Sequence, residues 1–180
     1  FQTLESLGEA HDKGILHRDI KPDNIFIVDK GKTEAVKVLD FGIAKLVNEQ
    51  GEANITKTGM ICGTPQYLSP EQVLGNKPSP ASDLYSLGIV LYEMLSGQPP
   101  FYSPTPMKLL MKHLNEIPPP VTVKNPDVAV PPSFNDFLEK SLQKDPHDRH
   151  ASVEEFRLAL KLALEQADKS RTTENLKGIA

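Results

Sequence analysis

His17-Arg18-Asp19-Ile20-Lys21-Pro22-Asp23-Asn24 places a carboxylate, an ammonium and a carboxamide in one short stretch, and Asp40-Phe41-Gly42 adds a second carboxylate sixteen residues after Asn24. Between them lie Ile25-Phe26-Ile27-Val28 and Ala35-Val36-Lys37-Val38-Leu39, two β-type runs joined by a Lys/Gly-rich turn. Such a pair predicts a hairpin. The hairpin brings Asn24, at the entry of its first strand, and Asp40, at the exit of its second, to the same end. A lone His-Arg-Asp tripeptide would mean little. Six specified residues within eight positions, with a second motif one hairpin downstream, mean far more.

This is equipment for positioning a hydroxyl against a magnesium-bound triphosphate. A protein hydroxyl is a poor nucleophile at its native pKa, so a carboxylate must orient it and take its proton. Asp19 is that carboxylate by its place in the loop. Mg²⁺ takes oxygen ligands in octahedral geometry and usually combines one or two protein oxygens with phosphates and waters. Asn24 and Asp40 supply such oxygens. Lys21 carries a compact charge that offsets negative charge on a phosphoryl group in transfer. For Asp40 alone, an aspartate in a turn before Gly42 is an equal reading; beside Asn24 and Asp19, metal binding is the better one.

The rest of the chain reads as mostly helical. Phe1, Leu4, Leu7 and Ala10 recur at helical spacing, and Gly14 offers a left-handed stop. From Lys45 to Gly63 there is no periodicity and much polarity, which predicts a long functional loop. Ser79-Pro80 starts and Gly97 stops a helix whose Leu84, Leu87, Ile89, Val90, Leu91, Met94 and Leu95 leave almost no polar face, the pattern of a buried helix. Further helices are expected from Thr105-Pro106 to Leu114, from Ser133 to Leu142, and after a Ser152-Val153-Glu154-Glu155 capping box. Gln166 to Ala180 is polar and reads as a frayed tail or linker. The fold class is α+β, mostly α-helical, with residues 1–164 as one domain and 165–180 as the tail.

Composition narrows the partners. The 180 residues carry 20 Lys and Arg against 24 Asp and Glu, a formal charge of −4, so no basic footprint argues for nucleic acid or an anionic membrane. The single Cys62 cannot form an internal disulfide, which fits a reducing compartment. No apolar run approaches a membrane span. His11, His113, His147 and His150 show no metal-ligand spacing with Cys62 and read as surface or packing residues. Pro118-Pro119-Pro120 reads as a stiff loop between helices.

On the two loop motifs the chain resembles a protein kinase. The stretch Gly63-Thr64-Pro65-Gln66-Tyr67-Leu68-Ser69-Pro70-Glu71, read on to Phe101, is most similar to bacterial Hanks-type Ser/Thr kinases. The resemblance covers the C-terminal lobe of that fold, with the hairpin carrying the catalytic and metal-binding loops. It implies Asp19, Lys21 and Thr64 as catalytic residues, and Lys21, Asn24, Phe26 and Asp40 as the nucleotide-binding set. Phe26 then lies beneath the adenine ring, and Asn24 and Asp40 hold the metal. His17 and Phe41 resemble members of the apolar stack that aligns two lobes. Glu71 resembles one half of an ion pair with Arg149, and Asp83 the residue that holds the His-Arg-Asp backbone. Thr56 and Thr58 resemble an autophosphorylated pair, with Arg18 as their phosphate partner. Ser69-Pro70-Glu71 stands where the family usually has Ala-Pro-Glu.

The cofactors so implied are ATP and Mg²⁺, with Mn²⁺ as a substitute. The partners are protein substrates and, for autophosphorylation, a second copy of the chain. The compartment implied is the cytoplasm, with membrane tethering through a segment outside these residues left open. No Gly-x-Gly-x-x-Gly occurs in the 180 residues and no strand lysine precedes the catalytic loop. The chain therefore reads as a fragment inactive alone. A pseudokinase-like binding module is the alternative, although a scaffold has no physical need of Asp19, Lys21, Asn24 and Asp40 together.

Overall fold

The computed structural model describes residues 1–29, 31, 33–41, 65–128 and 130–177. Seven α-helices, three short 3-10 turns and a two-stranded sheet are found among them, the helices and strands being α1 (Gln2–Asp12), β1 (Ile25–Asp29), β2 (Glu34–Val38), α2 (Pro70–Val73), α3 (Pro80–Ser96), α4 (Pro106–Asn115), α5 (Val121–Lys124), α6 (Pro132–Ser141) and α7 (Val153–Lys177). The protein is thus mostly helical with one small antiparallel hairpin.

β1 and β2 pair from Ile25 opposite Val38 to Asp29 opposite Glu34. The ladder extends one step, because the Leu39 N–H donates to the Asn24 carbonyl at 2.9 Å. Asn24 and the residue before Asp40 are therefore backbone partners, which is how the hairpin gathers the two motifs. The outer edge of β2 is closed by α1: the Val36 N–H donates to Gln2 Oε1 at 2.8 Å, and Gln2 Nε2 donates to the Glu34 carbonyl at 3.3 Å. One amide side chain thus serves both backbone roles of a missing strand.

α3 is the hub. It begins where Pro80 follows Ser79, whose N–H donates to Ser82 Oγ at 3.0 Å, and it ends at Gly97 in the left-handed conformation, φ 78°. Residues from Ser82 to Val90 are buried without interruption. The expectation of an apolar helix buried all round holds for this stretch only, since Met94 emerges 74% exposed near the C-terminal end. Against α3 pack α5, α6 and α7. Gly88 permits the close approach: a Cβ there would stand 3.1 Å from both Leu142 Cδ2 and Ser141 Cβ.

The same core runs on between α6 and α7, where the Phe137 ring lies 4.9 Å from Phe156 and 5.7 Å from Phe134, edge to face. Burying each such side chain is worth about 1.5–3 kcal/mol. α7 is capped by Ser152 Oγ, which accepts the Glu155 N–H at 3.1 Å. The Glu155 carboxylate takes the N–H of Ala151 at 2.9 Å, one residue further back than a simple capping box. The polar stretch from Gln166, expected to fray or link, continues α7 as helix through Lys177. It contains neither Gly nor Pro before that point. Among the described residues no helix is long and apolar enough to cross a membrane.

Candidate active site

The loop between α1 and β1 is held from beneath by α3. Asp83 is 1% exposed, and its carboxylate accepts the backbone N–H of His17 at 2.9 Å on Oδ2 and that of Arg18 at 2.7 Å on Oδ1. A third donor, His11 Nε2, reaches Oδ2 at 2.8 Å from α1. Three donors, with both oxygens engaged, compensate the burial of this carboxylate. They also hold Arg18 in the left-handed region, φ 66°, which a side-chain-bearing residue adopts only under constraint.

His17 extends the network upward. Its Nδ1 accepts the Asp19 N–H at 3.3 Å, and its Nε2 faces the Leu39 carbonyl at 2.8 Å. Those partners assign the neutral tautomer with the proton on Nε2. The ring lies 4.7 Å from Phe41. One imidazole therefore ties the backbone of Asp19 to the backbone ahead of Asp40. Asp40 is itself left-handed, φ 56°.

Asp19, Lys21 and Asn24 stand together. Lys21 Nζ lies 3.0 Å from Asp19 Oδ2, with the two side chains 18% and 27% exposed. Asn24 is buried, and its Nδ2 donates to the Asp19 carbonyl at 2.8 Å. With Nδ2 so committed, the carboxamide oxygen is the end left to meet a cation. Asp40 is exposed, one residue beyond the Leu39 that pairs with the Asn24 backbone. A carboxylate and an amide oxygen are hard donors, too few to enclose a cation and suited to Mg²⁺ completed by phosphate oxygens and water. Phe26 on β1 is 49% exposed, an apolar side chain two residues beyond Asn24. The site thus offers a carboxylate within reach of solvent, a cation against it, two oxygen donors and an exposed apolar side chain.

Below the loop, Glu71 and Arg149 form a buried pair. Arg149 Nη1 and Nη2 each donate to a Glu71 oxygen at 2.8 Å. The remaining Arg149 donors go to the carbonyls of Gln143, Ala81 and Lys144, so all five are used. Ser82 Oγ adds a hydrogen bond to Glu71 Oε1 at 2.6 Å. Burial alone would push the Glu71 carboxyl up; the bonds from Arg149 and Ser82 and the Arg149 charge outweigh it and hold the group below its ordinary 4.5. Thr64, Thr56, Thr58 and Cys62 lie outside the described residues.

His11, Ser82 and Gln72 were not legible as site residues. His11, read as a surface or packing residue, meets Asp83 across 72 positions of sequence. Gln72 Nε2 donates to the Arg18 carbonyl at 2.9 Å across 54. The one available hint was the Ser-Pro-Glu-Gln order, in which Gln72 falls at the third helical position after a serine cap.

The sequence has known relatives. The family profile described as protein kinase domain matches residues 1–158. The serine/threonine-protein kinase pkn3 of Myxococcus xanthus is 42% identical over 173 residues, covering 94% of this chain and 31% of its own length. PknA of Mycobacterium tuberculosis is 47% identical over 151 residues, 84% of this chain and 32% of PknA. PknB of Mycolicibacterium smegmatis is 42% identical over 158 residues, 88% of this chain and 24% of PknB. The chain spans less than a third of the length of each of these relatives. With most of its length matched by the profile and its catalytic-loop motif intact, the chain belongs to the protein kinase family, with bacterial serine/threonine kinases among its relatives.

Proposed function

We propose that the chain is the C-terminal lobe of an ATP-dependent serine/threonine protein kinase, with the domain spanning residues 1–164. The observation that carries this reading is the contact set of Asp19, Lys21 and Asn24, with Asp40 brought to the same end by the hairpin.

In this reading the Asp19 carboxylate accepts a hydrogen bond from the substrate hydroxyl and takes its proton as the oxygen attacks the γ-phosphorus. The new O–P bond forms as the bond from phosphorus to the β,γ-bridging oxygen breaks, and ADP leaves. Lys21 Nζ, already against Asp19, balances charge on the transferring group. Asn24 and Asp40 are the residues that would hold Mg²⁺, which would supply charge neutralisation of the phosphate oxygens. Phe26 would pack beneath the adenine, and Thr64 joins the catalytic set by its resemblance to the family's threonine. Protein substrates, a cytoplasmic site of action and pairing of two copies for autophosphorylation accompany the reading.

Thr56 and Thr58 complete it as regulatory sites. A phosphothreonine adds about −1.5 to −2 charge, and a planar guanidinium such as that of Arg18 suits it. Mass spectrometry of active protein should find phosphate on one or both threonines; its absence from both in an active preparation would remove them.

The metal assignment is tested by Asp40→Asn in the whole protein. Transfer of labelled γ-phosphate should fall at least about a hundredfold and recover in part at raised Mg²⁺. Wild-type transfer at ordinary Mg²⁺ would refute the assignment.

A further inference from the structure

We propose that Gln72 is a positioning residue for phosphoryl transfer, fixing the peptide plane that aims Asp19; this rests on the kinase reading above. The plane in question joins Arg18 to Asp19. Its N–H edge donates to His17 Nδ1 at 3.3 Å, and its carbonyl edge accepts from Gln72 Nε2 at 2.9 Å. One residue earlier, the Arg18 N–H is taken by Asp83 at 2.7 Å. Arg18 is left-handed, φ 66°. Relaxing it would swing both the plane and the Cα–Cβ direction of Asp19. Asp83 holds the near side of Arg18 from α3, and Gln72 holds the far side from α2. Without Gln72, the carbonyl edge loses the side-chain donor that opposes the relaxation.

The Gln72 carboxamide is itself oriented. Its Oε1 accepts the Ser69 N–H at 3.1 Å and the Ser69 hydroxyl at 3.0 Å, which leaves Nε2 pointing to Arg18. A flipped amide would set donor against donor on one side and acceptor against acceptor on the other. The next residue back, Glu71, is bolted to Arg149 and Ser82. The turn presenting Gln72 is therefore anchored in the core, and the two ends of one side chain do separate work. Oε1 caps α2, and Nε2 steadies the catalytic loop.

That division gives a clean variant. Gln72→Glu keeps the acceptor that caps α2, since glutamate is an ordinary partner at this position of a capping box, and sets a charged acceptor in place of the donor that faces the Arg18 carbonyl. Gln72→Met removes both the capping acceptor and the donor. In the whole protein, kcat of Gln72→Glu should fall about ten- to a hundredfold, with KM for ATP within about twofold of wild type. Its thermal midpoint should hold, and the Asp19 amide should exchange with solvent faster. Gln72→Met should lose kcat similarly and also melt lower. A Gln72→Glu enzyme with wild-type kcat overturns the proposal, as does a Gln72→Glu enzyme whose loss of kcat is matched by a loss of thermal midpoint. A wild-type protein that transfers no phosphoryl group would sink the kinase reading instead. There the exchange measurement still decides: unchanged Asp19 exchange in Gln72→Glu overturns the clamp, and faster exchange upholds it.

Discussion

Asp83 and Arg18 are separated by 65 positions of sequence, yet the Asp83 carboxylate holds the Arg18 N–H at 2.7 Å and with it a left-handed backbone. A constraint of that kind costs about 1–3 kcal/mol and persists only where surrounding contacts impose it. Asp83→Ala strands three donors, those of His11, His17 and Arg18. Each stranded buried donor costs about 1–3 kcal/mol. The substitution should therefore lower unfolding stability by about 3 kcal/mol or more in urea titration. A loss under about 1 kcal/mol would mean that Asp83 is not what holds the loop.

The Glu71–Arg149 pair makes a second prediction. Removing one partner of a buried pair leaves an uncompensated charge, at about 3–5 kcal/mol. Arg149→Met should cost that much, while Arg149→Met with Glu71→Leu should recover most of it. A double variant as unstable as the single one would place the cost in the carbonyls of Gln143, Ala81 and Lys144 rather than in Glu71.

Stability should fall with acid in two stages. Burial first, and then the Lys144 charge, lowers the His113 pKa from 6.5 to about 4. The folded state therefore keeps this ring neutral, and its contribution is complete above pH 6.5 and drains away as pH falls toward about 4. His150, lowered by burial first and then by Lys140, acts in the same direction. Glu71, held below its ordinary 4.5, contributes fully above that value and is lost as pH falls beneath it. His113→Phe should flatten the upper stage and spare the lower one. Urea midpoints against pH would show it, and an unaltered upper stage would contradict the assignment.

In the reading proposed above, Phe26, Asn24 and Asp40 are only part of a nucleotide site. These 180 residues include no Gly-x-Gly-x-x-Gly and no strand lysine ahead of the catalytic loop to pair with a helix glutamate, and activity in the family needs that pair together with the Asp–Mg²⁺ contact. By themselves they should bind Mg-ATP no tighter than about 1 mM, near −4 kcal/mol. Micromolar affinity by calorimetry would show that the missing groups matter little.

Much of this fold is legible in short-range pattern. The β-branched runs around Phe26 and Val36 announce the hairpin, and Ser79-Pro80 with Gly97 brackets α3 because cap and stop chemistry is local. α2 and α5, four residues each, are too short to show a period. The polar network is a different matter. His11, Ser82 and Gln72 are ordinary residues in sequence, and their partners Asp83, Glu71 and Arg18 become neighbours only after α3 docks beneath the loop. Asp19, Lys21 and Asn24 were legible because one loop carries them all.

The most direct test of the account is Asp19→Asn in the whole protein, assayed for transfer of labelled γ-phosphate to serine and threonine of a protein substrate. The substitution preserves shape and removes the proton acceptor, so transfer should fall about 10²–10⁴-fold while the thermal midpoint stays in place. Near wild-type transfer by a folded Asp19→Asn protein would contradict the central claim that this carboxylate serves as the base.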